Sequence, residues 1–186
     1  ADRRGWKAKA IAGDFANELH WETSSSDPKV SLNIPSDNGK MIAEAIGSVA
    51  FSSTYDNYEV LVVTNSKLIE ELTKRTWLAN VTFVPYDTPF NFSDKCNVGA
   101  AAASGDYFIF YNDDVRVQTG EWMERILDAF RIEGVGAVGT KLLYENNTIQ
   151  HAGMVTGVRR LVGTAFHTLP EKSPAYFNYA QSIREV

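Results

Sequence analysis

Two apolar runs, EVLVV at 59–63 and YFIFY at 107–111, constrain this chain more than any other feature. Runs with almost no polar face suit strands buried on both sides, as in a parallel sheet covered by helices. The segments around them fit that picture. VSLNI (30–34) reads as a strand ending at Pro35, and Met41–Phe51 carries Met41, Ile42, Ala45, Ile46 and Val49 at helical spacing. Lys67–Arg75 reads as a helix, VTFV (81–84) as a strand and Asp94–Ala103 as an alanine-rich helix. Glu121–Ile132 is amphipathic, with Trp122, Ile126, Leu127 and Phe130 on one side, and GAVGTKLLY (136–144) reads as a fifth strand. Strand and helix alternate, which predicts the α/β class: a mainly parallel central sheet in an α/β/α sandwich.

In such sheets ligands bind beyond the carboxyl ends of the strands. Those ends read Pro35-Ser36-Asp37-Asn38-Gly39, Thr64-Asn65-Ser66, Pro85-Tyr86-Asp87 and Asn112-Asp113-Asp114. None is a G-x-G-x-x-G turn or a phosphate loop ending in Gly-Lys-Ser/Thr, so a Rossmann oxidoreductase has no foothold. Gly134, Gly136 and Gly139 precede or enter a strand rather than open a helix. Ser36 and Asn65 suit turns and helix caps as well as ligand contacts.

Asn112-Asp113-Asp114 is the sharpest of the four ends. Adjacent carboxylates at the end of an apolar strand repel each other and gain little from packing. A hard divalent cation, Mg²⁺ or Mn²⁺, relieves that repulsion and commonly takes only one or two protein carboxylates beside substrate phosphate oxygens. The other reading is that these acids end the strand and cap the next element. On their chemistry alone both readings stand.

The 186 residues suffice for one domain with a full core, and 44% hydrophobic with 22% charged residues is an ordinary globular balance. A net charge of −5 argues against a general nucleic-acid binder. It leaves room for a phosphate-bearing small ligand whose charge a cation neutralises. Cys96 is the single cysteine and reads as a small buried residue within a helix. His20, His151 and His167 stand alone, without the spacing of a zinc site. No G-x-S-x-G elbow supports a serine hydrolase. No apolar run approaches the ~20 residues of a membrane span, and the first residues lack a signal-peptide pattern. Ser24-Ser25-Ser26-Asp27-Pro28 reads as a linker that sets residues 1–27 apart, and Trp6–Glu22 within them fits either two short strands or a short helix.

Taken together, VSLNIPSDNGK, YEVLVVTNS, PFNFSDKCNVGAAAASGDYFIFYNDDV and VGAVGTKLLYENNTIQHAG resemble, in order and spacing, glycosyltransferase family 2. The similarity is to its bacterial branch of O-antigen and surface-polysaccharide, rhamnosyl-type transferases. It covers about residues 28–186. The resemblance implies the GT-A fold and inverting transfer of a sugar from a nucleoside diphosphate donor, of UDP, GDP or dTDP type, to an acceptor hydroxyl. The acceptor it implies is a saccharide or a lipid-linked saccharide, and the setting is polysaccharide and cell-wall synthesis.

Carried over by position, Pro35, Ser36 and Asn38 line the donor pocket and Asn65 contacts the base or ribose. Asn112-Asp113-Asp114 matches the DXD-type motif, with Asp114 on a Mn²⁺ or Mg²⁺ ion and Asp113 facing the ribose or the metal. Three positions depart from the pattern: Thr64 and Asn112 stand where acids are common, and Asp37 replaces a larger residue of the P-T-x-N turn. In the family the general base lies further along than Val186, so the resemblance names no base within these residues; Asp87 and His151 are fallback candidates. The alternative is a non-catalytic nucleotide-sugar-binding module lacking the acceptor half. A cytoplasmic location, with association to membranes through a lipid-linked acceptor, is the expectation that goes with cytoplasmic sugar nucleotides.

Overall fold

The computed structural model describes residues 5–14, 17–22, 27–75, 81–158 and 161–182. The serines at 24–26, the start at 1–4 and the last residues 183–186 lie outside the described residues. The described residues fall into two compact units, one within Ser24–Arg125 and one combining Ala1–Thr23 with Ile126–Val186.

In the second of these, β1 (Ala8–Ala12) and β2 (Asn17–Trp21) form an antiparallel hairpin. The two-strand reading of the N-terminal piece is therefore the one the structure adopts. Trp6 packs against Trp21 with ring centroids 5.6 Å apart, and Arg131 stacks over Trp21 while donating to the carbonyl of Glu22 at 2.7 Å.

The Ser24–Arg125 unit is built on β3 (Val30–Pro35), α1 (Gly39–Ser52), β4 (Tyr58–Thr64), α2 (Ser66–Leu72), β5 (Val81–Pro85), α3 (Phe92–Ala102) and β6 (Tyr107–Phe110). Its four strands are all parallel, in the order β5-β4-β3-β6. All six residues of β3 are buried, as are Val60–Val63 of β4. Ile42, Ala45, Ile46 and Val49 of α1 are buried at the helical spacing read from the sequence. Each large side chain of this layer contributes about 1.5–3 kcal/mol by leaving water.

The path β3-α1-β4-α2-β5 steps across the sheet in one direction, and β5-α3-β6 returns past two strands. Right-handed crossovers then place α1 and α2 on one face and α3 on the other. The packing agrees: Gly39 of α1 lies against Leu68 and Leu72 of α2, while α3 packs on β3, β4 and β5. Asn33 points to the α3 side, where Gly99 leaves space for its amide; a methyl group at Gly99 would collide with it. Asn33 donates to the carbonyl of Cys96 at 3.4 Å. Cys96 is buried within α3, as its isolation in the sequence implies, and burial pushes its thiol pKa up.

Three expectations are corrected. YFIFY is not buried on both faces: β6 is an edge of the four-strand sheet, Tyr107–Ile109 are half-buried and Phe110 is 61% exposed. GAVGTKLLY is not a fifth strand of that sheet. Only Leu142–Leu143 (β7, after the helix α4, Trp122–Ala129) is a strand, and it pairs antiparallel with β8 (Ile149–His151). Gly134, Gly136 and Gly139 explain the loss, since glycine weakens a strand and offers no side chain to pack. Gly134 takes φ +85, outside strand geometry. Helix α4 is also shorter than Glu121–Ile132, because its last turn tightens: Phe130, Arg131 and Ile132 donate to carbonyls three residues back.

Candidate donor-binding cleft

The sheet order reverses between β3 and β6. At such a switch point the two loops leave in opposite directions and open a crevice beyond the strand ends. A cleft of about 360 Å³ lies there, lined by Pro35, Ser36, Asp37, Asn38, Phe90, Phe92, Asn112, Asp113 and Asp114. This volume suits a small-molecule ligand. All of these residues belong to the Ser24–Arg125 unit.

Of the residues expected from sequence to bind a donor or a metal, the cleft gathers Pro35, Ser36, Asn38, Asn112, Asp113 and Asp114. Ser36 and Asp113 are joined directly, hydroxyl to carboxylate, which ties the end of β3 to the loop after β6. Ser36 also accepts from the backbone N–H of Asn38 at 3.0 Å. Asn38 caps α1, its Oδ1 accepting from the N–H groups of Lys40 and Met41. Asn65 is not a lining residue. It caps α2 through the N–H of Leu68 at 2.9 Å and donates its amide to Asp37 at 3.3 Å.

Arg116 holds the acidic loop in place. Its guanidinium donates to the carbonyls of Asp113 and Val115, both at 2.7 Å, and pairs with Glu44 of α1 at 2.6 Å. Tyr111 donates to the carbonyl of Val115 at 3.1 Å, and burial pushes its pKa to about 12. Asp114 is exposed at the cleft and Asp113 half-buried.

The second anchor of the cleft was not visible in the sequence. Lys95 of α3 is wholly buried, and its ammonium pairs with Asp37 Oδ1 at 2.6 Å and donates to the carbonyls of Ser36 and Val63, each at 3.3 Å. The rings of Phe90 and Tyr86 stand 4.9 and 5.4 Å from it. Burial raises the Asp37 carboxyl, but the hydrogen bond and charge of Lys95, with hydrogen bonds from Thr64 and Asn65, hold it below its ordinary range. A lysine in an alanine-rich helix ordinarily signals a solvated face. The one hint is its place in the first turn of α3, four residues after the cap Asn91.

The fallback candidates lie elsewhere. Asp87 accepts from the N–H and hydroxyl of Ser66 at 2.8 and 2.6 Å, which holds its carboxyl below the usual range. His151 lies on β8. His20 pairs with Glu18 at 3.5 Å, and the ring of His167 meets the Tyr144 hydroxyl at 3.0 Å.

Among the described residues no group of three or more His, Cys, Asp or Glu side chains forms a complete metal site. Asp113 and Asp114 nevertheless fit a hard cation of the Mg²⁺ or Mn²⁺ type: two carboxylates, all-oxygen donors, at the mouth of a cleft with room for ligands from substrate.

Comparison with known proteins agrees with this geometry. The chain is 34% identical over 157 residues to the O-antigen biosynthesis protein RfbC of Myxococcus xanthus, covering 77% of this chain and 12% of that protein. It is 30% identical over 171 residues to the protein y4gI of Sinorhizobium fredii, covering 88% of this chain and 18% of that one. The chain thus spans less than a fifth of the length of either relative. In fold it is similar to the mannosyltransferase PcManGT of Pyrobaculum calidifontis, a structure in complex with GDP-Man and Mn²⁺. The TM-score is 0.55 at 16% identity, over 66% of this chain and 38% of that one. Residues 31–182 match the model of the glycosyl transferase family 2. With its four-strand parallel sheet and the cleft at its switch point, this chain belongs to glycosyl transferase family 2 and has the GT-A fold.

Proposed function

We propose that this chain is the donor-binding part of an inverting glycosyltransferase that moves a sugar from a nucleoside diphosphate to an acceptor hydroxyl in polysaccharide synthesis. The observation that carries the reading is the Ser36–Asp113 bond across the switch point, which sets two adjacent carboxylates at the mouth of a ligand-sized cleft. RfbC, by its name, serves O-antigen synthesis, and PcManGT was captured with GDP-Man and Mn²⁺; both point the same way.

In this reading Pro35, Ser36 and Asn38 wall the donor pocket and Asn112 borders it. Asp114, with Asp113 beside it, would hold Mn²⁺ or Mg²⁺, which would supply positive charge for a diphosphate leaving group. Arg116 keeps the acidic loop at its station, and Ser36 fixes the orientation of Asp113. The acceptor is a saccharide or a lipid-linked saccharide, met where cytoplasmic sugar nucleotides are supplied.

A second reading, a binding module without turnover of its own, is favoured by one observation. Of the three carboxylates lining the cleft, Asp37 is ion-paired through one oxygen with Lys95, which lowers its basicity, Asp113 is bound by Ser36, and Asp114 serves the cation in the reading above. None is suited to remove the acceptor proton.

Titration calorimetry of the chain with UDP, GDP and dTDP, with and without Mn²⁺, tests the donor site. Metal-enhanced binding of at least one is expected, and its absence for all three would sink the assignment. Sugar transfer to a simple acceptor by the isolated chain would overturn the second reading.

A further inference from the structure

The Asp37 carboxylate faces the cleft with its two oxygens in different states. Oδ1 accepts from Lys95 Nζ at 2.6 Å, Thr64 Oγ1 at 3.1 Å and Asn65 Nδ2 at 3.3 Å. Three donors saturate that oxygen. Oδ2 accepts from none of them, and the side chain, 36% exposed, borders the cleft. Lys95 cannot turn away, since it is wholly buried and held by two backbone carbonyls as well. The result is a pre-positioned anion offering one open acceptor. Beside it Phe90, 59% exposed, lines the same cleft and offers an aromatic surface on which a planar base can stack.

We propose that Asp37, fixed by Lys95, is a specificity-determining residue that reads the nucleobase of the donor and selects bases with a ring N–H, uracil, thymine or guanine, over cytosine and adenine. This rests on the donor-binding reading above. An ionised carboxylate only accepts hydrogen bonds. Uracil and thymine present a ring N3–H between two carbonyls, a donor for the open oxygen. Cytosine and adenine place a lone pair at the corresponding ring position, which an anion repels. Guanine presents two adjacent N–H groups, and the two lone pairs of the open oxygen accept both.

The test is calorimetry with Mn²⁺ on the chain and its Asp37→Asn variant, using UDP, dTDP, GDP, CDP and N3-methyl-UDP. For the unmodified chain, UDP and dTDP should bind about tenfold or more tighter than CDP and N3-methyl-UDP, the scale of one hydrogen bond to a charged group. In Asp37→Asn the ammonium of Lys95 retains the amide oxygen, so the amide nitrogen takes the open position. An acceptor becomes a donor, and preference should move from UDP toward CDP, a swap that mere loosening of the loop does not produce. Equal binding of UDP and N3-methyl-UDP by the unmodified chain, or CDP as the tightest ligand, overturns the inference whether or not the variant folds. If all the diphosphates bind alike, the donor site stands and only the base assignment falls. If none binds, both fall.

Discussion

The ammonium of Lys95 lies 2.6 Å from Asp37, one partner wholly buried and the other 36% exposed. The pair joins α3 to the loop after β3, across the carboxyl ends of the sheet. Removing its acid strands a buried cation, which is far more damaging than losing a surface pair. Asp37→Ala is therefore expected to lower stability by about 1–3 kcal/mol, reduced from the fully buried case by the exposure of Asp37. Lys95→Met, which keeps length and apolar contact with Phe90 and Tyr86, should cost less. Urea denaturation of the two variants checks the order; a larger loss for Lys95→Met would refute it.

The acidic loop predicts a separation between metal and fold. Asp114→Ala is expected to abolish the enhancement of nucleoside diphosphate binding by Mn²⁺ with little change in stability, because Asp114 is exposed. Ser36→Ala keeps both acids but frees Asp113, and should weaken metal-dependent binding by about tenfold, the usual effect of losing a partner that orients a ligand. Calorimetry across a Mn²⁺ series reads both effects.

Gly99 beneath Asn33 predicts a steric effect that a neighbour can relieve. Gly99→Ala drives a methyl group into the buried Asn33 amide and should cost about 1–3 kcal/mol. Asn33→Ala in the same chain removes the obstacle, so the double variant should be more stable than the sum of the two losses. A thermodynamic cycle by denaturant unfolding measures the coupling.

Glu59 gives a pH signature remote from the cleft. Burial raises its carboxyl, but hydrogen bonds from Lys29, Ser31 and Ser104 outweigh that and lower it from 4.5 to about 2. Its folded pKa is thus below its unfolded one, so its contribution is present above pH 4.5 and is lost as pH falls toward 2. The stability gap between the unmodified chain and Glu59→Gln should be full at neutral pH and close over that window. A gap that does not change with pH would contradict this.

How much of this was legible beforehand depended on whether a signal is local. Apolar spacing along 30–63 showed β3, α1 and β4 within a residue or two, since each element buries its own face. The place of Asp113-Asp114 at the cleft was legible because the end of a parallel strand opens onto the crevice of the sheet. Lys95 was not, because its burial is created by β3, β4 and the Phe90 loop meeting around it, 58 residues from its partner Asp37. Arg116 was hidden similarly by its link to Glu44, 72 residues away. The apolar run ending at Phe110 marked a strand but not an edge, because composition carries no information on how many neighbours a strand acquires. Asn65 could equally be a cap or a ligand contact, and geometry makes it the cap of α2.

The bond from Ser36 to Asp113 spans 77 residues, whereas β3 and β4 pair across 28, from Val30 to Tyr58. Loop closure over longer spans is slower and entropically steeper. The β3–β4–β5 layer is therefore expected to assemble first during refolding, with β6 arriving last. Pulse-labelled amide exchange would show that order directly, and early protection of β6 would disprove it. A chain halted one strand short has most of its hydrophobic layer and no cleft at all, so capture of a ligand there serves as a timestamp for the completed unit.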